Sequence, residues 1–162
     1  MSAITTRQLE GRFGGVTDGL DLRATWDGER LSARIGGYTS GQDLTLSIGH
    51  GQLEGRLGSF TAGQDVQVRL TATQLDVRVG GFTDGVDTRL TYGEQGGDGR
   101  YGSFTDGDDL QFRHYAGEVR GRCGSFTRGV DFRLELGDVP LPLALALVTC
   151  AFHLERVRLH RR

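Results

Sequence analysis

Arg12-Phe13-Gly14-Gly15-Val16-Thr17-Asp18-Gly19-Leu20-Asp21 decides the fold, because the chain returns to this pattern every 22 residues. Arg12, Arg34, Arg56, Arg78, Arg100 and Arg122 keep that spacing without exception. The glycines from Gly14 to Gly124, the threonines from Thr17 to Thr127, the glycines from Gly19 to Gly129 and the aspartates from Asp21 to Asp131 share the register. Six copies with no insertion in this framework identify a repeat architecture, in which each unit is one supersecondary element.

Inside the unit the polarity alternates with period two on both sides of a turn. Leu9, Gly11, Phe13 and Gly15 alternate with Glu10, Arg12, Gly14 and Val16. After Thr17-Asp18-Gly19, Leu20, Leu22, Ala24 and Trp26 alternate with Asp21, Arg23 and Thr25. That is strand, tight turn, strand. Asp27-Gly28 then suits a type I′ hairpin turn into Arg30–Gly37. Six units predict about twelve antiparallel strands over 9–138, each with one apolar or small face and one charged face.

Centring that turn on Asp27 and Gly28 predicts a register. Leu22 would face Ala33, and Asp21 would face Arg34, with Asp43–Arg56, Asp65–Arg78, Asp87–Arg100 and Asp109–Arg122 following. Opposite charges across a ladder contribute roughly 0.2–1 kcal/mol per pair. Asp131 and Arg12 are left over, and closing the last strand onto the first would bring them together. Closure also removes both edge strands. A 22-residue β-solenoid explains the period too, but it would stack the six arginines on one another. An outer-membrane barrel needs an apolar exterior, whereas this outer face carries Arg12, Asp21, Arg23, Arg34 and Asp43.

Twelve tilted strands enclose a cylinder about 24 Å across, wider than side chains alone fill. An α-helix, ~10–12 Å across, fits its axis. Residues 140–162 are the expected helix. Pro140 to Phe152 is apolar on every side, as a fully buried helix must be, and 153–162 is a basic amphipathic end where it emerges. Prolines are tolerated in its first turn. Two inward rings are small: Gly11, Ala33, Gly55, Val77, Gly99 and Gly121, then Gly15, Gly37, Ser59, Gly81, Ser103 and Ser125. Such rings would let the sheet approach the helix, with Leu22, Leu44, Val66, Leu110 and Phe132 filling between.

The whole chain, 1–162, therefore reads as a single mainly-β domain, a closed antiparallel barrel of about twelve strands around a C-terminal apolar helix. In strand count, in its G-R-x-G-S-F-T-x-G-x-D hairpins and in the terminal helix, it resembles the tubby C-terminal domain and its phospholipid-scramblase-like relatives. The resemblance is one of architecture and transfers no functional residue. It implies, as an alternative function, peripheral phospholipid binding.

The composition limits the partners. Nineteen basic and 21 acidic residues leave a net charge of −2, which argues against nucleic acid. Cys123 and Cys150 are too few for a secreted disulfide scaffold, the first residues carry no apolar signal segment, and a cytoplasmic chain with two free thiols is expected. His50, His114, His153 and His160 show no metal-ligand spacing with the cysteines. His114 takes an inward slot held elsewhere by Trp26, Ile48, Leu70, Tyr92 and Leu136, and Cys123 one held by Phe13, Ile35, Leu57, Val79 and Tyr101. Thr105-Asp106-Gly107-Asp108-Asp109 gathers carboxylates that suit calcium, but without EF-hand spacing. No catalytic residue, metal or cofactor is expected.

The reading is a non-enzymatic structural or interaction module, expected to be a monomer, with another protein or an anionic membrane surface as partner. Its candidate contacts are Tyr38, Phe60, Phe82, Phe104 and Phe126 around one rim, and Arg156, Arg158, Arg161 and Arg162 on the basic end.

Overall fold

The computed structural model describes residues 6–15, 19–36, 41–49, 52–58, 63–80, 85–102, 107–124 and 129–160, with side chains up to residue 156. The elements run β1 (Arg7–Phe13), β2 (Leu20–Trp26), β3 (Arg30–Ile35), β4 (Gln42–Gly49), β5 (Gln52–Leu57) and β6 (Gln64–Leu70). They continue through β7 (Gln74–Val79), β8 (Val86–Gly93), β9 (Gly96–Tyr101), β10 (Asp108–Tyr115), β11 (Glu118–Cys123), β12 (Val130–Glu135) and the helix α1 (Leu141–His160). Each strand pairs antiparallel with its neighbours in sequence, and β12 pairs with β1. The sheet is a closed barrel.

Alternation places the faces as expected. Leu22, Leu44, Val66, Leu110 and Phe132 are buried, with Thr88 in the sixth equivalent place. The register differs from the expectation by two residues. Leu22 stands opposite Ile35, and Ala24 opposite Ala33. The cause is local to the turn. The Asp27 carboxylate accepts the N–H groups of Glu29 at 2.8 Å and Arg30 at 2.7 Å, which centres the turn on Gly28-Glu29. Positive φ, 98°, falls on Gly28 and not on Asp27, so this is not the type I′ turn expected there.

A shift of two keeps every side chain on its face but changes every charge partner. The expected Asp21–Arg34 series is replaced by pairs across the other hairpin. Arg12–Asp21, Arg34–Asp43, Arg56–Asp65, Arg78–Asp87, Arg100–Asp109 and Arg122–Asp131 form at 2.6–2.8 Å. Each arginine thus serves its own repeat, and no pair is left over. The expected Asp131–Arg12 pairing is not made; at the seam Arg12 faces Arg133, and Arg133 is held by Glu118 at 2.6 Å. What crosses each repeat boundary is a backbone bond. Gly36, Gly58, Gly80, Gly102 and Gly124 donate N–H to the carbonyl of Asp21, Asp43, Asp65, Asp87 and Asp109 at 2.7–2.8 Å. Gly14 does the same to Asp131 at 2.7 Å, so the seam repeats the interior bond.

Those six glycines have φ between 81° and 109°. An added Cβ on Gly58 would lie 3.0 Å from Gly63 Cα. The small inward ring has a different cause from the one expected. At Gly11, Gly55, Gly99 and Gly121 a Cβ would first meet the backbone of the neighbouring strand, Thr45 O in the case of Gly55. Gly15, expected to point inward, is exposed. Gly37, Ser59, Gly81, Ser103 and Ser125 lie outside the described residues.

The barrel has two ends. At one lie the glycine loops after β1, β3, β5, β7, β9 and β11; at the other lie the short turns after the even strands. The chain leaves β12 at the short-turn end through Gly137 and Asp138, both at positive φ (55° and 67°), and Pro140 O accepts from Leu143 and Ala144 to start α1. From Leu143 to His153 every residue of the helix is buried. Thr149, the one hydroxyl there, bonds back to Leu145 O at 2.8 Å.

Magnitudes rank these contributions. A fully buried Leu, Val or Phe is worth ~1.5–3 kcal/mol, whereas an exposed ion pair is worth ~0–1. The lumen-filling helix therefore outweighs the charge ladder. A chain ending at Val139 is expected to lose its cooperative thermal transition, measured by calorimetry; sharp melting of that fragment as a monomer would refute a helix-built core. In urea unfolding, Gly58→Ala is expected to cost about 1–3 kcal/mol and Asp65→Asn less than about 1. The reverse order would make the ion pair, not the backbone, the determinant of the loop.

Candidate functional site

The six framework arginines and aspartates of the described wall are engaged in the repeat itself. Arg12 shows the pattern: its Nη1 binds Asp21, while Nε and Nη2 donate to Gly15 O at 3.2 and 3.1 Å. Arg56 likewise bonds Asp65 and Gly63 O. These guanidinium groups brace the glycine loops.

The repeat is broken where the helix reaches the glycine-loop end. One inward column there reads Phe13, Ile35, Leu57, Val79, Tyr101, Cys123, and the next reads Leu20, Gln42, Gln64, Val86, Asp108, Val130. Tyr101 and Asp108 are each the only one of their type in their columns, Gln64 repeats Gln42, and α1 places its polar side chains against Tyr101, Gln64 and Asp108. Tyr101 OH lies 2.7 Å from His153 Nδ1, and His153 Nε2 lies 3.1 Å from Gln64 Oε1. A carbonyl oxygen only accepts, so Nε2 carries a proton, and in the neutral ring Nδ1 accepts from the Tyr101 hydroxyl. Phe152 meets the Tyr101 ring edge-on with centroids 5.0 Å apart. Arg156 Nη1 lies 2.9 Å from Asp108 Oδ2, and its guanidinium carbon sits 5.7 Å from the Tyr101 ring centre. The Arg156–Asp108 geometry is an ion pair and not a hydrogen bond, since Asp108 Oδ2 and Arg156 Nε have no hydrogen-bond partner.

The electrostatics keep this cluster uncharged apart from Arg156 and Asp108. Burial, with Asp108 nearby, pushes the Tyr101 hydroxyl up to about 12, although Arg156 pulls the other way. Burial lowers the His153 imidazole below its ordinary value, and His153 is 3% exposed. Burial also raises both thiols, Cys150 to about 12. In the neutral range the cluster therefore holds a neutral phenol, a neutral imidazole and two thiols. Its chemistry is that of a hydrogen-bonded anchor, with no activated nucleophile in it.

His153, expected on the exposed basic end, belongs to the buried part of the helix. Arg156, a candidate surface contact, is turned against Asp108. Tyr38, Phe60, Phe82, Phe104, Phe126, Arg161 and Arg162 lie outside the described residues, as does the side chain of Arg158. Of the acidic group considered for calcium, Asp108 faces Arg156, Asp109 holds Arg100 at 2.8 Å, and Asp106 lies outside the described residues. Cys123 is buried, as its column implies, and neither cysteine is bonded to the other. His114 is half-buried, with Nδ1 unpartnered.

Sequence reading by spacing misses Tyr101, Gln64 and Asp108, because no motif joins them. A column-by-column comparison of the repeats reveals Tyr101 and Asp108, each the only one of its type in its column, but not Gln64, which repeats Gln42.

Val86 and Val130 occupy the equivalents of Asp108, so the ion pair is replaceable in shape. Arg156→Met alone strands a half-buried carboxylate, and we expect a loss of about 1–2 kcal/mol in urea unfolding at pH 7. The pair Asp108→Val, Arg156→Met is expected to recover most of it. Additive losses in the double variant would show that the two side chains act separately.

Comparison of the chain with protein-family models, with curated proteins and with solved structures finds no match.

Proposed function

We propose that the protein is a non-enzymatic interaction module, a rigid barrel that offers an apolar half-collar at its short-turn end to another protein. One observation carries the reading. Ile48, Leu70 and Tyr115 are 56%, 39% and 86% exposed at the ends of β4, β6 and β10. In the same slot as Ile48 and Leu70, Trp26 on β2 and Leu136 after β12 are buried. The chain leading into α1 explains this asymmetry: Leu136 N–H bonds Gly117 O, and a Cβ on Gly137 would strike Gln8 O. That segment lies beside β12 and β1 and leaves Ile48 and Leu70 uncovered on the opposite arc, where Tyr92 and His114 hold the remaining slots half-buried. Exposed apolar groups on one arc of a rim suit a protein contact.

Two unpaired, buried thiols fit a reducing, cytoplasmic compartment. Among the described residues no helix is long and apolar enough to cross a membrane. The alternative is peripheral phospholipid binding of the tubby and scramblase type, through the basic end and the aromatic rim. Of its candidate cations, Arg156 is held by Asp108.

The two readings separate in one set of measurements. Proteins cross-linked to the wild-type chain in cells are compared with those cross-linked to a triple variant, Ile48→Ser, Leu70→Ser, Tyr115→Ser. A specific partner is expected to fall at least tenfold while the melting temperature holds. Co-sedimentation with anionic phospholipid vesicles is expected to be weak and independent of residues 153–162. Salt-sensitive pelleting that disappears on removing those residues would support the lipid reading instead.

A further inference from the structure

The polar cluster at the glycine-loop end is built around His153, the one buried histidine among the described residues. Both ring nitrogens of the neutral imidazole are hydrogen-bonded. Nε2 gives its hydrogen to Gln64, and Nδ1 takes one from Tyr101. A proton added at Nδ1 would face the Tyr101 hydroxyl, which would have to turn its own hydrogen away. We propose that Tyr101, His153 and Gln64 form an acid-sensitive latch, in which proton uptake by His153 frees the last turns of α1 from the mouth of the barrel.

The surroundings give an imidazolium little help. From β9 the imidazole meets Tyr101, and from β6 the amide of Gln64, which carries no charge. From α1 itself come Glu155, Arg156 and the neutral Cys150, and the Arg156 guanidinium lies over the same Tyr101 ring that packs 5.9 Å from the imidazole. The nearby carboxylate of β10, Asp108, is already set against Arg156 at 2.9 Å. β11 contributes Cys123, whose thiol burial keeps protonated. The inward residues at this level of β1, β3, β5 and β7 are Phe13, Ile35, Leu57 and Val79, all apolar and buried. An imidazolium would lack a carboxylate of its own and would sit beside a second cation.

The sign follows from burial. With its affinity for protons lowered in the folded chain, His153 binds fewer protons folded than unfolded. The latch is at full strength above the ordinary histidine value of about 6.5. It weakens as pH falls below that value, by up to about tenfold per pH unit, until the folded-state value is passed. The effect is local because of where the group sits. Residues up to Phe152 are sunk in the apolar lumen, whereas Leu154, Glu155 and Arg156 are only half-buried. Freeing His153 therefore loosens the exit of the helix and leaves its buried stem in place.

Native-state hydrogen exchange on the full chain tests this between pH 7.5 and 5. Protection at the amides of Leu154, Glu155 and Arg156 is expected to fall by up to about tenfold per pH unit below about 6.5. Protection at Leu145–Val148 and in the strands is expected to hold. His153→Gln should remove the slope, and Asp108→Asn should keep it. An NMR titration of the wild-type imidazole gives an independent reading that does not depend on a variant folding; its midpoint should fall below 6.5 and mark the pH at which the loosening levels off. A flat wild-type profile, a slope that survives in His153→Gln, a slope lost in Asp108→Asn, or an equal loss in the strands would each overturn the latch.

Discussion

The structure depends on what one aspartate per repeat does with its two ends. The carboxylate of Asp43 grips Arg34 within its own hairpin, and its backbone carbonyl accepts the N–H of Gly58 from the next. The same residue thus shapes one loop and joins it to its neighbour. The glycine on the receiving side has a φ that L side chains rarely adopt, which accounts for glycine in all six copies. Each exposed ion pair is weak by itself. Its value lies in position, since it holds the strand pair beside the loop while the backbone bond sets the spacing to the next unit.

A ring of six near-equal units surrounds a helix that has no such symmetry. An apolar cylinder inside an apolar barrel could rotate among several similar settings at little cost, because hydrophobic contact has no direction. Polar groups remove that freedom. Tyr101 and Asp108 interrupt the repeats, and His153 and Arg156 meet them there, with Gln64 as the second partner of His153. The identical positions build the barrel, and the departures from identity orient its contents. Buried polar groups used in this way give specificity more than stability.

Much of this was legible in the sequence, and the limits have physical causes. Period-two alternation fixed the faces, the 22-residue spacing fixed the strand number, and the all-round apolar run from Pro140 identified the axial helix. The charge pairing was not legible, because Asp27 can act as a turn residue or as the acceptor that closes the turn. Moving the turn centre from Asp27-Gly28 to Gly28-Glu29 leaves the hydrophobic pattern unchanged, so alternation cannot distinguish the two. Alternation gives the face of the inward glycines but not the neighbour they make room for, since the nearest obstacle is the adjacent strand. The cluster around His153 joins residues 52 and 89 positions apart, a relation that only the closed barrel creates.

The seam has a consequence for how such a chain can change in size. β12 meets β1 in the relation that every even strand has to its odd successor: Phe132 opposite Phe13 is equivalent to Leu22 opposite Ile35 and Val66 opposite Val79. Nothing in the pairing counts to six. A seventh unit inserted in register would find the same bonds on both sides and close as readily. The circumference would grow by two strands, and a single helix would no longer fill the bore. The number of repeats is therefore set from the inside, by the girth of α1, and the helix acts as the gauge to which the wall is cut.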